Sequence, residues 1–207
     1  MRSYGQYCGL ARSLEVVGDR WNLLIVRQLL IGPARYRDLM DGLPGIATNL
    51  LADRLRDLES SGVLERRLGP GGAVEYALTP WGSALRQPIE SLIRWSTPLM
   101  ARGPEGDVFR PEWLALALPA LLATRAKVRR VATVGLEIGG PPLQLRATRS
   151  GFEVTPHDGR DLDATLRADP AYILGLAAGA FTLGDARTFG LIEVEGDESI
   201  VRTVFAA

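Results

Sequence analysis

The sequence predicts an α+β protein of two modules, a helical N-terminal half with one hairpin and a C-terminal half rich in short strands. Three observations lead there. Apolar residues recur at helical spacing from Leu10 to Leu58 and alternate beyond Ala132. A polar, Gly- and Pro-containing stretch, 103–110, separates the two patterns. Charge divides in the same place: residues 1–103 hold 13 Arg against 10 Asp and Glu, giving +3, and residues 104–207 hold 10 Arg and 1 Lys against 14 acids, giving −3. Domains are therefore expected at 1–102 and 111–207, with 103–110 as linker.

In the first half, Leu10, Leu14 and Val17, then Trp21, Leu24, Ile25 and Leu29, mark two helices. Gly18-Asp19 punctuates them, and Asp19 is the expected N-cap of the second. Gly32-Pro33 ends it. A short helix is expected over 36–40 and a longer one over 47–61, with Leu51, Leu55 and Leu58 on one face. Strands over 64–68 and 74–78 flank the flexible tip Gly69-Pro70-Gly71-Gly72. Thr79-Pro80 opens a helix that reaches about Met100, kinked by Pro88.

In the second half, 111–124 reads as helix interrupted by Pro119. Alternation at Ala132–Ile138, Leu143–Ala147, Phe152–Val154 and Ala164–Ala168 predicts strands. Gly139-Gly140 and Ser150-Gly151 supply turns. Asp169-Pro170 caps a helix to about Ala180, Leu191–Glu195 is a last strand, and Asp197 caps a final helix.

Composition excludes several classes. Hydrophobic residues are 46% and charged residues 23%, as in ordinary globular proteins. The one cysteine, Cys8, and one histidine, His157, leave no intrachain disulfide and no Cys- or His-rich metal site. No uninterrupted apolar run approaches the roughly 18 residues of a membrane span. The N-terminus lacks a secretory apolar core, so a cytoplasmic protein without a membrane partner is expected. No GxGxxG, phosphate loop or nucleophile elbow occurs, and neither an enzyme nor a cofactor is expected.

Helices, a tight turn, a longer helix and a hairpin follow one another in the order of a winged helix-turn-helix. Such a helix fits the major groove, about 12 Å wide, if its leucines are held from behind. Its other side carries Thr48, Asn49, Asp53 and Arg56. Asn49 suits adenine, Asp53 suits cytosine N4, and Arg56 suits guanine or phosphate. Arg35, Tyr36 and Arg37 in the preceding segment, and Arg66, Arg67 and Gly71 in the hairpin, are placed for backbone contacts. Double-stranded DNA is the expected partner, and a protein-binding winged helix is the alternative.

The run Leu14-Glu15-Val16-Val17-Gly18-Asp19-Arg20-Trp21-Asn22-Leu23-Leu24-Ile25 resembles the opening of the HxlR branch of the MarR-like winged-helix regulators. So do Gly32-Pro33-Ala34-Arg35-Tyr36-Arg37-Asp38-Leu39, residues 43–59, the block Val74–Gly82, and Trp95. The resemblance covers about 8–100. It implies a homodimer on a roughly palindromic operator, with the 81–101 helix and the first helix at the interface. It also places Thr48, Asn49 and Arg54 in the recognition helix and 66–74 in the wing. The chain departs from the family pattern at Gly9, Asn49 and Asp53, so the family's operators do not transfer. Some relatives sense electrophiles through the cysteine equivalent to Cys8. Reactivity needs exposure and a lowered pKa, and a small packed residue is expected here instead.

Residues 164–179 and 190–197 are similar to the sterol-carrier (SCP2-like) fold, an α+β unit with helices on one face of an antiparallel-rich sheet. That likeness implies a pocket for an apolar small-molecule effector. Leu143, Leu145, Phe152, Val154, Leu166, Tyr172, Leu176, Phe181 and Phe189 are its candidate lining, and simple core packing is the alternative for each. The expected function is therefore a DNA-binding transcriptional regulator, a repressor modulated by that effector. The competing expectation is a constitutive DNA- or protein-binding module with a C-terminal dimerisation brace.

Overall fold

The structure is a computed structural model of the chain and describes residues 3–125, 128 and 130–205. It divides into two compact units, 1–89 and 90–207.

The first unit starts with α1 (Gly9–Val17) and α2 (Asn22–Ile31). Ile25, Val26 and Leu29 recur at helical spacing and are buried. Asp19 is not the N-cap of α2, which starts three residues later behind Trp21. The Asp19 carbonyl instead accepts the Asn22 N–H at 3.0 Å, and its carboxylate turns elsewhere.

After α3 (Tyr36–Gly42), Gly45 takes a φ of 87°, a turn open to glycine, and the chain enters α4 (Thr48–Ser60). Strands β1 (Leu64–Leu68) and β2 (Val74–Leu78) pair antiparallel, from Leu64 opposite Leu78 to Leu68 opposite Val74. Ala34 adds a bridge to Tyr76 on the free side of β2.

The helix expected over 80–100 is broken in two. Thr79 caps α5 (Pro80–Ser83) by accepting the Gly82 N–H at 3.1 Å. The chain then turns at 84–85 before α6 (Arg86–Ser96) and a 3-10 stretch, Thr97–Arg102. Pro88 has no N–H for the carbonyl of Ala84 four residues back, which places the break there rather than at the proline. The division between units falls inside α6. Its later residue Ile93 packs on the second core, whereas composition puts the linker at 103–110.

Beyond the later part of α6 the second unit contains α7 (Leu114–Leu122), which runs through Pro119 without the expected interruption. Strands β3 (Ala132–Glu137), β4 (Leu143–Thr148), β5 (Gly151–Pro156), β6 (Ala164–Ala168) and β7 (Ile192–Gly196) form one sheet in the order β5-β4-β3-β6-β7. Only the β3–β6 pairing is parallel. Asp169 caps α8 (Pro170–Ala178) through the Ala171 N–H at 2.8 Å, and Gly179 ends it with a φ of 75°.

A helix that sequence periodicity misses, α9 (Leu183–Thr188), follows. α10 (Glu198–Phe205) closes the chain behind Asp197. Alternation sorts the sheet's faces. Val134, Leu136, Leu145, Val154 and Leu166 are buried with α7, α8 and α10, while Glu137, Arg146, Glu153 and Arg167 stay exposed.

In the first unit, Leu51, Leu55 and Leu58 of α4 are at most 1% exposed. Leu55→Ala should cost about 2–5 kcal/mol, as truncation of a buried leucine does. Urea unfolding followed by tryptophan fluorescence measures it.

Candidate nucleic-acid interface

The geometry of α4 follows from its sequence. With Leu51, Leu55 and Leu58 turned inward, the 3.6-residue period sends Asn49, Asp53, Arg56 and Ser60 to the opposite side. Asn49, Arg56 and Ser60 are exposed and Asp53 is half-buried. A row of one amide, one acid, one guanidinium and one hydroxyl can read base edges by donor and acceptor pattern. Arg56 is paired with Asp53 at 2.5 Å, so part of that row is self-neutralised.

Three contacts fix the helix to its surroundings. At its start, the Tyr36 hydroxyl donates to the Thr48 carbonyl oxygen at 2.6 Å. Midway, Arg54 pairs with Asp19 and, at 3.2 Å, with Asp57. Near its end, Arg66 of β1 donates to Glu59 at 2.9 Å. Tyr36, Arg54 and Arg66, all anticipated as DNA contacts, are thus occupied within the protein. Arg35 is exposed, with its guanidinium 3.4 Å from the Pro70 carbonyl and its N–H on Asp38 at 3.0 Å.

Arg37 and Arg67 differ. Both are exposed, and among the described residues neither has an ion-pair partner. Gly71 sits at the exposed hairpin tip with a φ of 76°, and a Cβ there would meet nothing within 4 Å. The charges on α4 itself (Asp53, Arg54, Arg56, Asp57, Glu59) sum to −1. The helix alone therefore offers no net attraction for phosphate, and Arg37 and Arg67 are exposed cations off it.

Sequence reasoning missed Asp19, Asp57 and Glu59 as partners of these cations. Asp57 lies three residues after Arg54 and Asp53 three before Arg56, a spacing that could have flagged both pairs. Nothing local signals Asp19, which is 35 residues from Arg54.

Cys8 corrects an expectation. It is exposed, not packed, because it precedes the first turn of α1 rather than lying on the helix's buried side. The N–H groups of Ala11 and then Leu10 face its sulfur and hold the thiol below its ordinary pKa.

The candidate ligand-lining residues separate. Leu143, Leu145, Val154, Leu166 and Leu176 are buried in the second core, with Phe152 and Phe181 packed against it. Phe181 lies over Gly175, where a Cβ would come within 2.7 Å of its ring. Tyr172 and Phe189 are exposed, Phe189 by 74%. Two surface depressions, of about 80 and 100 Å³, are lined by other residues.

Comparison with known proteins bears on the first unit and the start of the second. The model of the HxlR-like helix-turn-helix family matches residues 16–103. The HTH-type transcriptional regulator YodB of Bacillus subtilis is 34% identical over 86 residues, 41% of this chain and 77% of YodB. YkvN of the same organism is 33% identical over 114 residues, 52% of this chain and 96% of YkvN. YtfH of Escherichia coli is 30% identical over 124 residues, 59% of this chain and 84% of YtfH. The matched stretch contains the buried leucine stripe, the polar row opposite it and the hairpin, and the chain belongs to the HxlR-like helix-turn-helix family of transcriptional regulators.

Proposed function

We propose that this regulator is a repressor that binds a roughly palindromic operator as a homodimer, with α4 in the major groove of each half-site. The carrying observation is the division of α4 into a buried leucine face and an outward polar row, with Arg37 and Arg67, exposed and without an ion-pair partner among the described residues, on neighbouring elements. Thr48 and Asn49 open the helix where side chains first reach base edges. Repression is by occupancy of the operator.

The dimer is proposed to form through helices that carry exposed apolar residues. On α1 these are Leu10 and Leu14. On α6 and the turn after it, Leu92, Trp95 and Leu99 recur at three- and four-residue spacing. Two-fold symmetry of the protein then demands two-fold symmetry of the operator.

The second unit is proposed as the regulatory module, of sterol-carrier type, taking an apolar effector. Small-molecule pockets commonly run to about 300–1,000 Å³, so its leucine core must part to admit one. An environment-sensitive apolar dye should then brighten in the isolated protein and be displaced by long-chain lipids. No brightening identifies the unit as a structural brace. Cys8 adds a second input in this reading, since its thiol is exposed and the Ala11 and Leu10 N–H groups lower its pKa. Its alkylation rate should reach half-maximum at a pH below that of a free cysteine, and a midpoint at or above the free value ends that role.

Selection from a random duplex library tests the whole reading. An inverted repeat should emerge. On the selected duplex, Arg67→Ala should weaken binding to all sequences and lower the salt slope by about one. Asn49→Ala should cost about 1–3 kcal/mol at particular base pairs and leave others unaffected. Failure to enrich any duplex rejects the proposal.

A further inference from the structure

We infer that Arg54 is a positioning residue: its ion pair with Asp19 sets the attitude of α4, and its guanidinium does not touch DNA. The inference rests on the DNA-binding reading above.

Four observations converge. At about 100° per residue, Arg54 projects from the flank of α4 beside the leucine stripe, away from the row of Asn49, Asp53 and Arg56. Its side chain is only 21% exposed, less than either acid that holds it, and its Nε is buried without a hydrogen-bond partner. The cluster Asp19, Arg54 and Asp57 carries a net −1, which repels a phosphate rather than attracting it. Finally, Asp19 belongs to the turn between α1 and α2, so this pair joins two parts of the fold, unlike the local Arg56–Asp53 pair three residues apart.

That turn is itself held. The Gly18 N–H donates to the Leu14 carbonyl at 2.9 Å and the Asn22 N–H to the Asp19 carbonyl at 3.0 Å. Asp19 is therefore a fixed post against which the flank of α4 is tied. The leucines set how deeply α4 is seated, and the Arg54–Asp19 pair restrains its rotation about its own axis. A small rotation would carry Asn49 and Arg56 away from base edges while the core stays packed.

The two roles for Arg54 predict opposite signs when Asp19 is neutralised. If Arg54 held a phosphate, Asp19→Asn would free the cation and tighten binding. As a positioning pair, Asp19→Asn should weaken binding to the wild-type-selected duplex about tenfold. Arg54→Ala should do the same, and the double variant should be no weaker than the weaker single. All three should keep the wild-type salt slope, because no phosphate contact is lost.

Arg54→Lys, which keeps the charge but not the planar guanidinium whose Nη1 meets both Asp19 and Asp57, should fall between wild type and Arg54→Ala. Thermal melts monitor folding, and Asp19→Asn, at an exposed side chain, serves if Arg54→Ala does not fold. Tighter binding by Asp19→Asn, or a salt slope lowered by about one in Arg54→Ala, overturns the inference. So does unchanged affinity across the set despite lowered melting temperatures, which would make the pair purely structural. A wild-type chain that binds no duplex with any salt dependence instead defeats the DNA-binding reading, and this inference with it.

Discussion

Burial of Leu51, Leu55 and Leu58 is the constraint on which the first unit depends. Each leucine removed from water contributes about 1.5–3 kcal/mol, and together they seat α4 with one side fixed inward. The same helical period then leaves Asn49, Asp53, Arg56 and Ser60 outward. Seating and presentation are one event: a residue cannot join the outward row without the leucines holding the other side. Around that anchor, three polar ties act at the start, middle and end of the helix, from Tyr36, Asp19 and Arg66. They add orientation more than stability, since exposed ion pairs contribute little energy.

The electrostatics of this surface are restrained. Most of its arginines already face a carboxylate or carbonyl of the same chain, and the acids on α4 outnumber its cations. A surface of this kind draws weakly on the phosphate backbone, which supplies the bulk of non-specific affinity. In the proposed complex, discrimination then rests on the few groups placed to meet base edges. There the Asp53–Arg56 pair would sharpen this further, because Arg56 would have to leave its carboxylate and would recover the loss only where a base offers a good acceptor.

Through β2 the elements of the first unit were legible because the period is strong and the turn chemistry plain: β1 and β2 fall on the residues expected, and α4 within one residue of each end, whereas the break between α5 and α6 was not. The outward residues of α4 follow from that period. Their partners do not, because Asp19 and Arg54 meet only when the fold brings distant segments together. Periodicity also overlooked α9, six residues long, although Thr182 and Asp185 form a capping box that marks its start. In the second unit the alternating strands were readable, and so was their burial. Alternation reports only that a side chain faces inward, so it could not distinguish a filled core from a lined pocket. Phe189 shows a further limit, since an aromatic residue at a helix end faces water here.

Whether the outward side of α4 enters a duplex groove can be measured directly. Cys8 is the sole cysteine, so Cys8→Ser with Arg56→Cys gives one attachment point for a short photo-crosslinker. Crosslinks on the selected duplex should map to major-groove base edges, once in each half-site. Crosslinks absent from Arg56→Cys yet present from Arg146→Cys, on the exposed face of the second unit's sheet, would contradict the account.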